Sequence, residues 1–254
     1  MKELLRALTS RQSAERRRVI CDWLNRWQFD FEVERFTSGN LRGANIYVPP
    51  EQEMQKVVVL SAHYDGPGAY DNAGGVAALL LFLKNCRLET RPISFSTCFF
   101  DLEESFQAGS RHFCTTRTRD GLIERAALIS HIEIDGCGIG DRLVRFHNVR
   151  HLRLHRGRHF LDVPFTGDSL EFQNIGIPSL RLTTLPLREA TILIRKKVFP
   201  PTWLLLHTAR DRLSLISPET LHRTAAELGP LVTRPQRAKK ASIVLHSSDW
   251  RSNA

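Results

Sequence analysis

No stretch of this chain reaches the roughly 20 consecutive apolar residues that a bilayer-spanning helix needs. Its opening, MKELLRALTSRQSAERRRVI, carries charge throughout and lacks the apolar centre of a secretory signal. A cytoplasmic protein with no membrane partner is the expectation. Cysteine is scarce: Cys21, Cys86, Cys98, Cys114 and Cys137 make five, an odd number, set mostly in apolar segments and with no C-x-x-C pair. This argues against a disulfide framework or a thiolate metal site and for reduced core residues. Acidic residues number 27 against 36 basic ones, for a formal net charge of +9. The surplus lies in scattered arginines and two short clusters, ERRR at 15–18 and RPQRAKK at 234–240. Without a zinc finger, a helix-turn-helix or an aromatic-rich basic stripe, no specific nucleic-acid partner is expected. Internal repeats and low-complexity segments are also missing.

What is present suits a globular chain: 254 residues, 42% hydrophobic and 25% charged, enough to bury a large core. One domain over residues 1–233 with a basic, flexible tail over 234–254 is expected. Residues 2–28 have helical spacing, with Leu4, Leu5, Leu8, Val19, Ile20, Trp23, Leu24 and Trp27 as core contacts. FDFEVERF and GANIYVPP read as strands, and KVVVLSA as a strand buried on both faces. GVAALLLFLKNC then reads as a helix and ISFSTCFFD as another buried strand, which completes a crossover unit. EESFQAGSRHFCTT as a helix, followed by AALISHIEID and IPSLRL as strands, continues the alternation. The pattern predicts a three-layer α/β/α fold around a mixed, mostly parallel sheet. SPETLHRTAAELGPLV reads as a final helix with Ser217 as cap, Pro218 at the first position and Gly229 near the end. Residues 184–206 match no simple element and read as a long loop over a site.

The polar residues gain meaning from this sheet, because open α/β sheets bind ligands outside the carboxyl ends of their strands. His63 and Asp65 follow VVVLSA, Asp101, Glu103 and Glu104 follow ISFSTCFF, and Asp135 follows ALISHIEI. Singly, each has a bland reading as a turn, a cap or a hydrogen-bonded histidine. Three strands in succession ending in charge at one sheet edge do not. Imidazole and carboxylate donors without thiolate suit zinc or a related divalent ion. Clustered carboxylates repel one another, and a dication removes that difficulty. Two ions about 3.5–4 Å apart can share a bridging carboxylate in a hydrolytic centre. HTARD adds His207 and Asp211. A second histidine group, His147, His151, His155 and His159 in HNVRHLRLHRGRHF, has four-residue spacing. It could form a helical stripe, but its interspersed arginines favour a basic surface or an edge strand over a metal site.

SAHYDGPGAYDNAGGVAALL, CFFDLEESFQAGSRHF, IEIDGCG, GIPSL and HTARD, in that order across residues 57–222, resemble the co-catalytic zinc aminopeptidases. The wider clan of that family includes glutaminyl cyclases and the transferrin-receptor ectodomain. The resemblance implies two Zn2+ ions per chain, one on His63 and Asp135, the other on Glu104 and His207, with Asp71 as the bridge. It further implies Glu103 as general base to a zinc-activated water, Asp65 as the catalytic residue that orients His63, and Asp211 in support. The implied activity is that of an exopeptidase removing N-terminal residues from peptides with a free N-terminus. A glutaminyl-peptide cyclotransferase and a non-catalytic scaffold are the alternatives; GPGAYDNAGG is closer to the peptidase pattern, and no candidate ligand is missing. Three features depart from the family. The interval from His63 to Asp71 is short, Ser169 follows Asp168 where histidine is common, and no protease-associated insert is evident.

Overall fold

A computed structural model describes residues 1–9, 12–51, 56–66, 68–89, 94–119, 127–148, 150–156, 159–164, 167–233 and 244–245. The chain runs α1 (Lys2–Leu8), α2 (Ser13–Arg26), β1 (Glu32–Ser38), β2 (Leu41–Val48), β3 (Val57–His63), α3 (Ala73–Leu88), β4 (Ser96–Phe100), α4 (Ala108–Arg119) and β5 (Leu128–Ile134). It continues with β6 (Arg142–His147), β7 (His151–Arg156), β8 (His159–Pro164), α5 (Asp168–Asn174), β9 (Ser179–Leu185), α6 (Leu187–Lys196), α7 (Pro218–Thr233) and β10 (Val244–Leu245). Eight strands form one sheet in the order β1-β2-β4-β3-β5-β9-β6-β10, and β7 and β8 pair apart from it as a hairpin. The four central strands are parallel and the outer pairings antiparallel, the mixed arrangement expected.

The apolar run of β3 buries both faces, as a central parallel strand must. Val58, Leu60 and Ala62 join the core formed with α3, α7 and the N-terminal helices, whereas Val57 and Val59 join a second core with Phe100, Phe113 and Phe172. Helices on both faces complete the three layers. Four cysteines are buried in these cores and Cys21 is partly exposed; all five are free. Among the described residues no helix is long and apolar enough to cross a membrane.

Several details differ from the sequence expectations. The helical segment over 2–28 is two helices, the first ending at a cap on Thr9. Residues 184–206 hold the end of β9, all of α6 and a 3-10 turn, Pro201–Leu205, in place of a structureless loop. Ser217 Oγ accepts from Thr220 N, Pro218 opens α7 and Gly229 lies near its end, as expected. Leu228 and Leu231 are both buried on one face, and their packing carries the helix through Gly229 and Pro230 to Thr233. The spaced histidines lie on strands, in line with the favoured reading, with His147 buried at the end of β6 and His151 exposed on β7. Of the tail, only residues 244–245 are described, and they pair with β6; the rest of the expected tail lies outside the described residues.

One buried group makes the fold acid-sensitive. His131 in β5 is fully buried, shares a hydrogen bond with Ser61 Oγ at 2.8 Å and stacks on Phe172 with ring centroids 3.7 Å apart. Burial depresses its pKa to about 3, below the ordinary 6.5. The unfolded chain therefore takes up this proton before the folded one does, and stability falls as pH drops from about 6.5 towards 3. In urea denaturation of metal-free protein, wild type should lose about 2 kcal/mol more than His131→Gln between pH 7 and pH 5. Equal losses would assign the acid sensitivity to other groups.

Candidate metal centre and active site

The carboxyl ends of the parallel strands bring the candidate residues together. His63 is the last residue of β3, and Asp71 lies in the loop that leads into α3. Glu103 and Glu104 follow β4, Asp135 follows β5, and His207 comes after the 3-10 turn. His63 Nε2 lies 3.1 Å from Asp71 Oδ1 and 3.4 Å from Asp135 Oδ1. His207 Nε2 lies 3.1 Å from Asp71 Oδ2 and 3.2 Å from Glu104 Oε1. Two donor sets result, His63–Asp71–Asp135 and Asp71–Glu104–His207, the donor atoms of each within 4.8 Å of one another. Asp71 belongs to both, with one oxygen turned towards each histidine. The nitrogen and oxygen donors fit a pair of zinc-like ions, and the shared carboxylate fits a bridge.

The surroundings fix this geometry. His63 Nδ1 pairs with Asp65 Oδ1 at 3.2 Å, while Asp65 Oδ2 accepts from Glu104 N at 3.1 Å. Asp65 thus sits behind the histidine and ties it to the glutamate loop. This is the orienting contact to His63 that the resemblance implies for Asp65. Asp211 accepts from Tyr70 N at 2.7 Å and Asp71 N at 3.0 Å, so it holds the backbone that carries the shared carboxylate. Gly68 is needed here because a Cβ would collide with the Asp211 carboxylate and the Asp71 carbonyl. Gly74 in turn lets α3 start against the Cys137 carbonyl, where a Cβ has no room. Asp101, grouped with the site by sequence, is structural instead. It accepts from Ser13 Oγ, Ala44 N and Tyr64 OH, and so joins α2 and β2 to the end of β4. Buried Arg16 donates to the Tyr64 carbonyl at 2.8 Å, next to His63.

Protonation follows from the same contacts. Burial works against charge on His63, yet hydrogen bonds to Asp65 and Asp71 hold its pKa well above 6.5. The hydrogen bond to Asp71 lifts His207 to about 9. Burial alone would raise Asp71, but bonds from His207 and His63 win and push it below the usual carboxylate range. Among the described residues no histidine hydrogen-bonds to Glu103, and burial pushes it up to about 7. Leu102, Phe106, Gln107 and His207 have φ of 57°, 61°, 54° and 58°, a left-handed backbone that side chains disfavour and that collects at functional loops.

The sequence model of peptidase family M28 matches residues 45–232, most of the chain. The chain belongs to peptidase family M28. No curated protein matches it in sequence. A glutaminyl cyclase from an Acidobacteriales bacterium superposes with a TM-score of 0.64 at 21% identity, covering 88% of this chain and 87% of the other. A leucine aminopeptidase precursor from Bacteroides thetaiotaomicron gives 0.62 at 17%, covering 92% and 96%. A Zn-dependent exopeptidase from Parabacteroides distasonis gives 0.58 at 19%, covering 85% and 88%. At such identities these structures establish a shared fold.

In this M28 chain the donor sets open into a cleft of about 360 Å³. Asp71, Glu103, Glu104 and His207 line its polar end, and Phe106, Phe199, Trp203 and Leu206 its apolar wall. The backbone of His155 in β7 exchanges hydrogen bonds with Lys197 and Phe199, so the hairpin braces that wall. Arg181 also lines the cleft, a residue that sequence reasoning passed over. It faces Glu133 and Asp135. One signal was available: a strand's period of two puts Glu133 on the face of Asp135, and Arg181 with Thr183 at the end of β9. That the two strands are neighbours is a tertiary fact.

Proposed function

We propose that this M28 chain is a metal-dependent aminopeptidase. The observation that carries the reading is the pair of complete donor sets sharing Asp71, beside a buried carboxyl, Glu103, that belongs to neither. We assign His63, Asp71 and Asp135 to one ion and Asp71, Glu104 and His207 to the other. Divalent metal bound there would polarise the scissile carbonyl and ease deprotonation of a water. Glu103, buried at the cleft and outside both donor sets, accepts one proton from that water and passes it to the departing amine nitrogen, so that hydroxyl and hydrogen add across the broken C–N bond. A free terminal amine would be held at this polar end, by metal or by a carboxylate not committed to it, and the wall of Phe199, Trp203 and Leu206 accepts an apolar first side chain.

Glutaminyl-peptide cyclisation is the second reading, favoured by the likeness to the Acidobacteriales glutaminyl cyclase. Zinc-reconstituted protein should release anilide from leucine and phenylalanine anilides, with N-acetylated versions inert. Cyclisation of a glutaminyl peptide without anilide hydrolysis would replace the first reading by the second. Failure of both, with no metal bound, would leave the scaffold alternative.

A further inference from the structure

We infer that Arg181 makes the two metal positions unequal, weakening the one on His63, Asp71 and Asp135 so that a first ion occupies the one on Asp71, Glu104 and His207. This rests on the reading of those five side chains as ligands. Arg181 reaches from β9 to the neighbouring β5. One guanidinium nitrogen pairs with Asp135 Oδ2, and its Nε lies 3.8 Å from Glu133 Oε2. The arginine side chain is 15% exposed and that of Glu133 0%.

Neither partner is free to move away. Glu133 accepts from Asp168 N at 2.9 Å, from Ser169 N at 3.2 Å and from Ser169 Oγ. The bare backbone of Gly167 closes over the pair, since a Cβ there would lie 2.5 Å from Glu133 Oε1 and 2.9 Å from an Arg181 nitrogen. A fixed Glu133 thus keeps Arg181 against Asp135.

The consequence falls on one donor set. Asp135 keeps Oδ1, on the His63 side, for an ion, while Oδ2 belongs to the guanidinium. Asp135 shares its negative charge with the guanidinium, so less of it is left for an ion at Oδ1, in a buried setting that screens poorly. At the other set, among the described residues, no lysine or arginine pairs with Glu104 or Asp71. His207, 68% exposed, also leaves that side open to solvent, so an ion can arrive there directly. Arg181 is therefore a positioning residue that sets metal affinity.

The test is stepwise titration of chelator-stripped protein with Zn2+ against a chromophoric competitor, with native mass spectrometry to count ions. Wild type should bind one ion about 100-fold more tightly than the second, the scale of effect that groups behind metal ligands exert. His207→Ala should abolish the tight step. Arg181→Met should tighten the second step at least about tenfold. The double variant Glu133→Gln/Arg181→Met, which buries no unpaired charge, should do the same if the single variant folds poorly. Two ions of equal affinity in wild type, a tight step that survives His207→Ala, or an unchanged second step in a folded Arg181 variant would overturn the inference. If equal binding accompanied anilide hydrolysis, the functional reading would stand without it. Absence of any binding would overturn both.

Discussion

Glu103→Gln should lower kcat by about 10²- to 10⁴-fold, the usual worth of a positioned general base, while zinc content stays at the wild-type level. The expectation follows from location. Glu103 lines the cleft beside both donor sets, yet its oxygens belong to neither. Gln107 Nε2 donates only a long hydrogen bond, 3.4 Å, to its Oε1. A carboxylate in that place can accept a proton from water and return it to the leaving amine. Glutamine keeps the shape and removes the basicity. Glu104→Gln is the control: one residue along, it removes a donor oxygen 3.2 Å from His207 Nε2 and should lose metal together with activity. Steady-state kinetics with metal analysis on both variants separates the roles. Near wild-type turnover in Glu103→Gln, or loss of its zinc, would show that the base has been misassigned.

Asp71→Asn should weaken metal binding at both positions together, by about 100-fold or more, and reduce hydrolysis to background. Every other proposed ligand serves one donor set, but Asp71 turns Oδ1 to His63 and Oδ2 to His207. The amide has one oxygen and no charge. The backbone should keep its place, because Asp211 grips Asp71 through its main-chain N–H. Zinc at 100 times the dissociation constant adds about 2.7 kcal/mol of stability to a protein that binds it only when folded. Wild type should therefore show a zinc-dependent rise in Tm that Asp71→Asn lacks, while the two proteins melt cooperatively in chelator. A variant that lost one ion and kept the other would mean that Asp71 is not shared.

The short interval from His63 to Asp71 was the clearest departure from the family pattern, and the structure shows how it is accommodated. A tight loop built on Gly68, clamped by Asp211 from a distant part of the chain, still carries Asp71 back to His63. Asp65 was legible as the partner of His63 because it lies two residues away. Asp101, equally acidic and also at a strand end, was drawn towards the same site; its carboxylate instead meets Ser13, Ala44 and Tyr64.

By itself the sequence determined the elements whose signals are local. The unbroken apolar run of β3, the cap and proline that open α7, and the charged residues that end three strands depend on contacts within a few positions. Tertiary structure decided what depends on neighbours distant in sequence. In α6, Leu187, Ala190 and Leu193 have helical spacing, but Thr191, Ile192 and Ile194 are β-branched and Pro200 and Pro201 follow closely, so local preference was divided. Packing of Ala190 and Leu193 into the core settled it. The pairing of β5 with β9 put Arg181 beside Glu133 and Asp135, some 50 positions away in sequence. Local periodicity carries the face on which a side chain stands; strand order, fixed by burial and hydrogen bonding across the whole sheet, decides which charges it meets.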